Sequence, residues 1–284
     1  MLVEKIMALN LDLHCHSTFS DGVLTPRELL RRAAANGVNA LALTDHDNVS
    51  GLSDASQAAQ ECGIRFVPGV EISTTWSELT IHIVGLGIDY ENAVLREGLA
   101  HVRSSRGRRA ELIAAELDRI GIEDSLDGAY AYAENSDLIS RTHFARFLVA
   151  RGYASDVKAV FQHFLVPGKP GYVAHEWCSV TEAVNWIRTS GGQAIVAHPG
   201  RYKMNRYEMM QFLGEFKEAG GTGIEVVTGS HSPEQYGEYA RHAQEFELLA
   251  SRGSDFHGPG ETRVDLGRLP DLPRDVKPVW RDWV

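Results

Sequence analysis

The amino-acid sequence predicts an α/β barrel that carries an inserted helical subdomain. From residue 9, short runs of β-forming residues alternate with segments rich in Ala and Leu, a pattern typical of βα units around a mostly parallel sheet. Seven such runs occur, which is enough to close a barrel. About a hundred residues that read as helices separate the fourth run from the fifth, and a connection of that length predicts an inserted subdomain.

The first predicted strand is half-buried. Apolar residues at positions 9, 11, 13 and 15 alternate with polar residues at 10, 12, 14 and 16, which is the period of a strand with one polar face. That polar face carries His14 and His16. The predicted strands are, in order, NLDLH (10–14), ALALT (40–44), RFVPGV (65–70), LTIHIVGLG (79–87), QAIVA (193–197), GIEVV (223–227) and LLAS (248–251).

Two helices have clear starts in the sequence. Thr25, Pro26 and Glu28 have the spacing of a capping box, and Gly37 stands where a helix would end. The stretch SVTE at 179–182 gives a second start, with Gly191 closing that helix. Further helices are predicted over 102–120, 136–150 and 155–163. We therefore expect a barrel built from residues 1–99 and 176–284, and a helical insertion, 100–175, over the barrel mouth.

Composition excludes several classes of function. The net charge of -10 argues against a sequence-independent grip on long nucleic acid, which needs many Lys and Arg side chains at phosphates. A small anionic substrate is compatible with this charge if metal cations bind it. Three scattered cysteines indicate neither a disulfide framework nor a thiolate zinc site. The N-terminus lacks the features of a signal peptide and no apolar run is long enough to span a bilayer, so we expect a soluble, cytoplasmic protein without membrane partners.

Imidazole and carboxylate side chains recur at the predicted strand ends. They are His14, His16, Asp45, His46, Glu71, His198, Asp255 and His257, and His82 lies within the fourth predicted strand. In a (β/α) barrel the C-terminal ends of the strands converge on one mouth, where catalytic groups lie. A single histidine at a strand end is usually a structural residue, but this combination predicts a metal site.

The ligand types indicate which metals would bind. Imidazole nitrogens and carboxylate oxygens without thiolates suit Mn²⁺, Fe²⁺ or Zn²⁺, and the ligands are too numerous for one ion. We expect two or three divalent ions, with Mn²⁺ favoured and Zn²⁺ or Fe²⁺ as alternatives. Clustered divalent ions activate water and bind phosphoryl oxygens, so the sequence predicts hydrolysis of a phosphate ester.

Six ordered motifs resemble those of the PHP family of phosphoesterases, which is called after polymerase and histidinol phosphatase. They are DLHCHSTFSDG, ALTDHD, PGVEIS, HIVGLG, VAHPG and GSDFHG, and they cover roughly 9–90 and 190–260. The resemblance implies a distorted (β/α)₇ barrel with two or three metals at its mouth. It also implies nine ligands: His14, His16, Asp21, His46, Glu71, His82, His198, Asp255 and His257.

The resemblance further implies how these ligands are shared. His14, His16, Glu71 and Asp255 would hold one ion, with Glu71 reaching a second ion that His82 and His198 complete, and Asp21, His46 and His257 would hold a third. His198, Asp255 and His257 are the candidate catalytic residues, with His198 or a metal-bound water protonating the leaving group. Asp12, Asp45 and Asp47 either orient imidazoles or serve as turn and capping carboxylates.

Substrate selectivity is expected to come from the insertion. LISRTHFARFLVARG (138–152) and FLVPGKPGYV (164–173), which contains Lys169, resemble stretches of small PHP enzymes that act on nucleoside 3',5'-bisphosphates and short 5'-phosphorylated RNA. Arg141, His143 and Lys169 are the candidate substrate-binding residues, although Arg141 and Lys169 are equally compatible with solvated positions. The run RSSRGRR (103–109) is interpreted as a solvated helix face, with a basic rim for nucleotide as the alternative. Glu225 and His231 are weaker candidates for the pocket.

The function expected from this combination is hydrolysis of the 3'-phosphate of a nucleoside 3',5'-bisphosphate, such as pAp to AMP and phosphate. A 5'-3' exoribonuclease acting on short RNA needs the same metals and 5'-phosphate pocket, and histidinol phosphatase is a third enzymatic reading. A non-catalytic module, as found attached to some polymerases, is disfavoured because no ligand position is missing.

Overall fold

The computed structural model describes residues 9–283, and its centre is an eight-stranded sheet. The strands are β1 Leu11–Asp12, β2 Ala40–Leu43, β3 Arg65–Trp76, β4 Leu79–Leu86, β5 Cys178–Ser179, β6 Gln193–Val196, β7 Gly223–Thr228 and β8 Leu249–Gly253. Seven of them follow one another in the order β1-β2-β3-β4-β6-β7-β8, while β5 pairs with β3. The Leu13 N–H donates to the Arg252 carbonyl at 3.1 Å, so the two ends of this order meet and the sheet is a nearly closed seven-stranded barrel.

The barrel is distorted because β4 runs against both of its neighbours. It pairs antiparallel with β3 and with β6, whereas the other pairs along the barrel are parallel. A tight turn joins β3 to β4, and both of its residues, Ser77 and Glu78, have positive φ. Because this hairpin continues the pairing, β3 extends to Trp76 instead of ending near residue 70 as predicted. The short strand β5 was not predicted.

The helices are α1 Pro26–Ala35, α2 Leu52–Cys62, α3 Ala93–Ser104, α4 Arg106–Asp118, α5 Ser125–Tyr130, α6 Arg141–Ala150, α7 Val157–Val160, α8 Val180–Thr189, α9 Arg206–Glu218 and α10 Pro233–Glu245. A 3₁₀ turn precedes α6 at Ser136–Leu138, a second lies at Pro199–Arg201, and a π turn follows α7 at Phe161–Leu165. Both predicted capping boxes are present, at Thr25 with Glu28 and at Ser179 with Glu182.

The helix predicted over 102–120 is broken at Ser105. Helix α3 ends at Ser104 and α4 begins at Arg106, and the Ser105 hydroxyl donates to the Val102 carbonyl at 2.9 Å. A hydroxyl that bonds a nearby carbonyl competes with the regular helical ladder. The helix predicted over 136–150 is divided at Ser140, which caps α6.

Two hydrophobic clusters form the core. The larger one packs the barrel strands against helices α1, α2, α3, α8, α9 and α10. The smaller one lies within residues 110–165. Its centre consists of four fully buried residues: Leu117, Phe144, Leu148 and Val160. The first strand is not half-buried as predicted, since residues 11–17 are buried on both faces. The side chains of this strand that point into the barrel are enclosed by other residues of the barrel.

Cys15, Cys62 and Cys178 are free thiols. Within residues 9–283, none of the helices has the length and apolar character needed to cross a membrane.

Candidate metal centre and its cavity

The nine predicted ligands meet at one end of the barrel. His14 and His16 follow β1, His46 follows β2, and Asp255 with His257 follow β8. Glu71 lies inside β3, opposite Val84, rather than after the strand as predicted, and His82 lies inside β4, opposite Ser73. Although β4 is antiparallel to its neighbours, His82 belongs to the cluster, since Nδ1 of His82 lies 3.0 Å from Oε1 of Glu71.

The ligand atoms form three groups, in each of which all atoms lie within 4.8 Å of one another. These groups are His14, His16, Glu71 and Asp255; His46, Glu71 and His82; and His16, Asp21, His46 and His257. His198 belongs to none of the three, but its Nε2 lies 2.9 Å from Oε1 of Glu71. The arrangement resembles the expected sharing, with His16 and His46 each contributing to a further group.

The chemistry of these atoms fits divalent cations. Nε2 of His14 and Nε2 of His16 lie 3.2 Å apart. The lone pairs or N–H groups of these two nitrogens are therefore directed toward the same position. Nδ1 of His46 lies 3.0 Å from Oε2 of Glu71, yet neither atom has a hydrogen-bond partner among the described residues. Buried polar atoms without partners are costly, and a shared cation satisfies both of them. We refer to the nine residues and their three groups as the metal centre.

The metal centre is strongly charged. Burial disfavours ionisation of Glu71, but the surrounding imidazoles outweigh it and hold the pKa of that carboxyl well below its usual value. Burial likewise opposes protonation of His16, whereas bonds and charge from Asp255 and Glu71 raise the pKa of His16 to about 10. Ionised carboxylates at the bottom of the barrel mouth therefore favour cations there.

Asp12, Asp45 and Asp47 hold the backbone of the loops, and within residues 9–283 none of them is hydrogen-bonded to an imidazole. Asp12 accepts from the Ser254 and Gly267 N–H groups at 2.8 and 2.9 Å. Asp45 accepts from Ser17 at 2.7 Å and Asp47 from Ser73 at 2.7 Å, both through backbone N–H groups. Of the two interpretations, these contacts favour turn and capping carboxylates over imidazole orienters, and Asp47 also forms an ion pair with Arg106.

A cavity of about 520 Å³ opens over the metal centre. Seven of the nine ligands line it, while His14 and His16 lie beneath and are fully buried. The barrel also contributes Arg201, which forms an ion pair with Asp255. The facing wall comes from the segment between β4 and β5. Its residues are Arg106, Arg109, Ser140, Arg141, Thr142, Val157, Lys158, Phe161 and Trp177.

Three arginines stand in this wall: Arg106 and Arg109 are buried, and Arg141 is partly buried. Arg106 is neutralised by an ion pair with Asp47, and the Trp177 ring lies 5.0 Å from its guanidinium carbon and 5.2 Å from that of Arg109. Arg109 donates only to the Val173 carbonyl, at 3.3 Å, and its Nε has no partner among residues 9–283. Burial, then the charges of Arg141 and Arg106, lower the pKa of Arg109 to about 9.

Arg141 has the same character. It donates to the Leu165 carbonyl at 3.2 Å, and its guanidinium lies over the Phe161 ring at 5.6 Å. Within the described part of the chain, neither Arg109 nor Arg141 forms an ion pair with a carboxylate. Two cations beside a cavity, one buried and one partly buried, that have no carboxylate partner among the described residues are donors suited to an anionic ligand.

The remaining candidate substrate residues lie outside the cavity wall. His143 is buried and caps its own helix, accepting from the Ser140 N–H at 3.0 Å. Lys169 is exposed at the surface of its turn. Glu225 and His231 are buried behind the wall: Glu225 contacts His14, and Nε2 of His231 accepts from the Gly200 N–H at 3.0 Å.

Sequence reasoning missed the arginines of α4. RSSRGRR was interpreted as a solvated helix face, but Arg106 and Arg109 are buried and only part of the run faces solvent. A signal was available, because both residues share the helical face of Ala110 and Ile113, which carry the apolar contacts of α4. Lys158 and Arg201 were also missed.

Comparison with known proteins agrees with this architecture. The family model described as PHP domain matches residues 12–166. A protein of Chromobacterium violaceum named 3',5'-nucleoside bisphosphate phosphatase is 50% identical over 273 residues, covering 96% of each chain. A protein of Haemophilus influenzae named 5'-3' exoribonuclease is 43% identical over 274 residues, covering 96% of this chain and 99% of the relative.

A solved structure from Bifidobacterium adolescentis, described as that of a candidate metal-dependent phosphoesterase, superimposes with a TM-score of 0.82. It is 26% identical and covers 97% of this chain and 95% of its own. The barrel, the clustered ligands and these similarities agree with one another. The chain belongs to the PHP domain family.

Proposed function

We propose that this protein is a metal-dependent phosphoric monoester hydrolase that removes the 3'-phosphate from nucleoside 3',5'-bisphosphates, such as pAp, to give AMP and phosphate. The observation that carries the proposal is the pairing, across one cavity, of a metal centre with Arg109 and Arg141, which have no carboxylate partner among the described residues. A bisphosphate has two anionic groups, and this cavity offers a separate site for each. The relative named 3',5'-nucleoside bisphosphate phosphatase supports the same substrate class.

The nine residues of the metal centre are proposed to hold two or three divalent ions, with Mn²⁺ expected. Such ions activate water and neutralise phosphoryl oxygens when bound. The chain's own residues arrange the reaction: the ligands fix where the scissile phosphate lies, and Arg201, held by Asp255, presents its guanidinium toward the same cavity. A cation at that position stabilises negative charge that develops on the phosphoryl group.

Proton transfer to the leaving oxygen is proposed to involve a residue other than His198. Burial, then the charge of Arg201, lower the pKa of His198 to about 3, so its imidazole has no proton to donate at neutral pH. His198 is better suited to bind a cation as a neutral ligand. His257 lines the cavity and is 18% exposed, and it stays, with Asp255, a candidate for a direct role.

The helical insertion, 100–175, is proposed to be the part of the chain that selects the substrate. The second hydrophobic cluster lies within it, and its residues form the cavity wall that faces the metal centre. Among the described residues, the barrel is then formed by 9–99 and 176–283. Arg141 is proposed to bind the phosphate that is not cleaved, together with Arg109. Lys169 and His143 stay predictions that substitution must test.

A 5'-3' exoribonuclease acting on short 5'-phosphorylated RNA is the second candidate. The relative of that name, 43% identical along nearly its whole length, favours it. The same arginines would then bind the 5'-phosphate, and the substrate would continue out of the cavity. In either case the ligand is a small nucleotide or short RNA, and the free thiols fit the cytoplasm as the proposed location.

The test is a phosphate-release and product assay with Mn²⁺ on pAp, AMP, a short 5'-phosphorylated RNA and histidinol phosphate. We expect the highest kcat/KM for pAp, with AMP as the product. Preferential release of mononucleotides from the RNA would favour the exoribonuclease, and preferential hydrolysis of histidinol phosphate would contradict both nucleotide functions. The Asp255→Asn variant is the control for contaminating phosphatases.

A further inference from the structure

A buried arginine of α6, Arg146, joins two loops of the barrel mouth. Its Nε and Nη2 donate to the two carboxylate oxygens of Glu261, both at 2.8 Å, and Nη2 also donates to the Asp21 carbonyl at 2.6 Å. Only 9% of Arg146 is exposed. One side chain of the helical insertion therefore connects the loop after β1 with the loop after β8.

These two loops carry one group of the metal centre. Asp21 lies in the first loop, and His257 lies four residues before Glu261 in the second. The second loop is compact, because the His257 N–H donates to the Thr262 hydroxyl at 2.8 Å and the Glu261 N–H to the Gly258 carbonyl at 3.2 Å. A residue that fixes Glu261 and the Asp21 backbone thus fixes the separation of Asp21 from His257, whose Oδ1 and Nε2 lie 3.4 Å apart.

Helix α6 also orients the Asp21 carboxylate. The Ser140 hydroxyl, at the start of α6, donates to Oδ2 of Asp21 at 3.2 Å. The other oxygen, Oδ1, is buried without a hydrogen-bond partner among residues 9–283. One oxygen is thereby occupied by the helix, and the other is left facing the imidazoles of His16, His46 and His257.

We propose that Arg146 is a positioning residue for the ion held by His16, Asp21, His46 and His257, and that docking of α6 on the barrel thereby controls the affinity of this ion. The inference rests on the proposed metal function of the centre. The other two groups share His16 and His46 with this one, but their remaining members, His14, Glu71, His82 and Asp255, come from the barrel. We therefore expect their ions to depend less on α6.

The expected effect is selective. Loss of a group that orients ligands typically costs 10- to 100-fold in metal affinity. Replacing Arg146 should weaken the ion bound through Asp21 by about that factor and leave the other ions bound. A role in packing alone would lower the melting temperature of the metal-free protein without changing how many ions bind.

The experiment measures bound Mn²⁺ by elemental analysis and titration calorimetry on protein that has been stripped with a chelator and reloaded. The variants are Arg146→Met, which retains the apolar stem, and Glu261→Gln, which removes the charge partner but keeps the side-chain shape. Asp21→Asn identifies the ion in question. Arg151→Ala is the matched control, since Arg151 follows the same helix and is exposed.

We expect Arg146→Met and Glu261→Gln to weaken the same ion that Asp21→Asn loses, with wild-type affinity in Arg151→Ala. Wild-type affinities in a folded Glu261→Gln protein and in Arg146→Met would overturn the inference, as would loss of no ion in Asp21→Asn. If Arg146→Met fails to fold, Glu261→Gln alone decides. Wild-type protein that binds no Mn²⁺ would instead contradict the proposed function.

Discussion

Oε1 of Glu225 lies 2.8 Å from Nδ1 of His14, and Oε2 of the same carboxylate accepts a hydrogen bond from the backbone N–H of His198 at 2.6 Å. Glu225 therefore connects β7 to two residues of the metal centre that stand on different strands. A carboxylate at Nδ1 fixes the imidazole with its proton on that nitrogen, so that Nε2 of His14 is free to bind a cation. The role expected of Asp12, Asp45 and Asp47 thus belongs to a residue that sequence reasoning ranked low.

The first prediction concerns this contact. Glu225→Gln keeps the size of the side chain but removes the charge that holds the His14 tautomer. We expect Mn²⁺ affinity to fall about 10- to 100-fold, measured by calorimetry. Glu238→Gln, on the exposed face of α10, should retain wild-type affinity. Unchanged Mn²⁺ binding in Glu225→Gln would show that His14 does not depend on Glu225.

The second prediction concerns the ligands themselves. His14→Ala and Asp255→Asn each remove a member of the group formed with His16 and Glu71, so bound metal and turnover should both be lost. Mn²⁺ at 100 times its Kd should raise the free energy of unfolding by about 2.7 kcal/mol in the wild type and by much less in these variants. Asp282→Asn, a surface carboxylate, is the control. Full activity with undiminished metal in either ligand variant would contradict the site assignment.

The metal centre could be predicted from sequence because its residues stand in short motifs at or within strands. A barrel brings strand ends together whatever the details of its helices, so HCH after β1 and DFH after β8 converge. The predicted end of the third strand was wrong, but this error did not change the prediction that Glu71 belongs to the cluster. Glu71 lies in the middle of β3, yet its register opposite Val84 and beside His82 still directs it into the mouth.

The insertion could not be predicted to the same depth. Which side of α4 faces the cavity depends on how α3 and α4 meet at Ser105, a break that no Pro or Gly announces. Arg106 and Arg109 therefore looked like part of an ordinary charged run. Their burial depends on the folded structure, in which Trp177, about seventy residues away in sequence, packs against both guanidinium groups.

The third prediction uses the pH dependence of stability. Burial lowers the pKa of His143 to about 4, and its neutral Nδ1 accepts the Ser140 N–H. The unfolded chain takes up a proton at His143 as pH falls below about 6.5, whereas the folded chain does not until about 4. The stability contributed by neutral His143 is therefore complete above about 6.5 and is lost as pH falls to about 4.

His143→Gln retains an acceptor at the capping position but cannot be protonated. For metal-free protein between pH 6.5 and 4, we expect the free energy of unfolding to depend less on pH in this variant, by up to about 1.4 kcal/mol per pH unit. Denaturant titrations at several pH values measure this. His101→Gln, at an exposed position of α3, should keep the wild-type slope. An identical slope in His143→Gln would mean that His143 is protonated alike in both states.

The fourth prediction concerns Arg109, Arg141 and the second phosphate. The protein has a net charge of -10, so it must bind a remote phosphate through specific donors rather than through its overall field. Arg109, which is buried, and Arg141, which is partly buried, line the cavity without carboxylate partners among the described residues, and each presents a planar fork suited to phosphate oxygens.

Binding energy from the uncleaved phosphate would be used to position the reacting one over the metal centre. Arg109→Ala and Arg141→Ala should therefore lower kcat/KM for pAp by about 10- to 1000-fold while leaving hydrolysis of an aryl phosphate, which has no second phosphate, largely unchanged. Arg108→Ala provides the matched control, because Arg108 is exposed on the same helix. Lys169→Ala and Lys158→Ala in the same assay decide whether the exposed turn lysine or the cavity lysine also contributes. Equal losses on both substrates in the arginine variants, or no loss on either, would remove the assignment of these arginines to the second phosphate, since only a contact with that group distinguishes the two substrates.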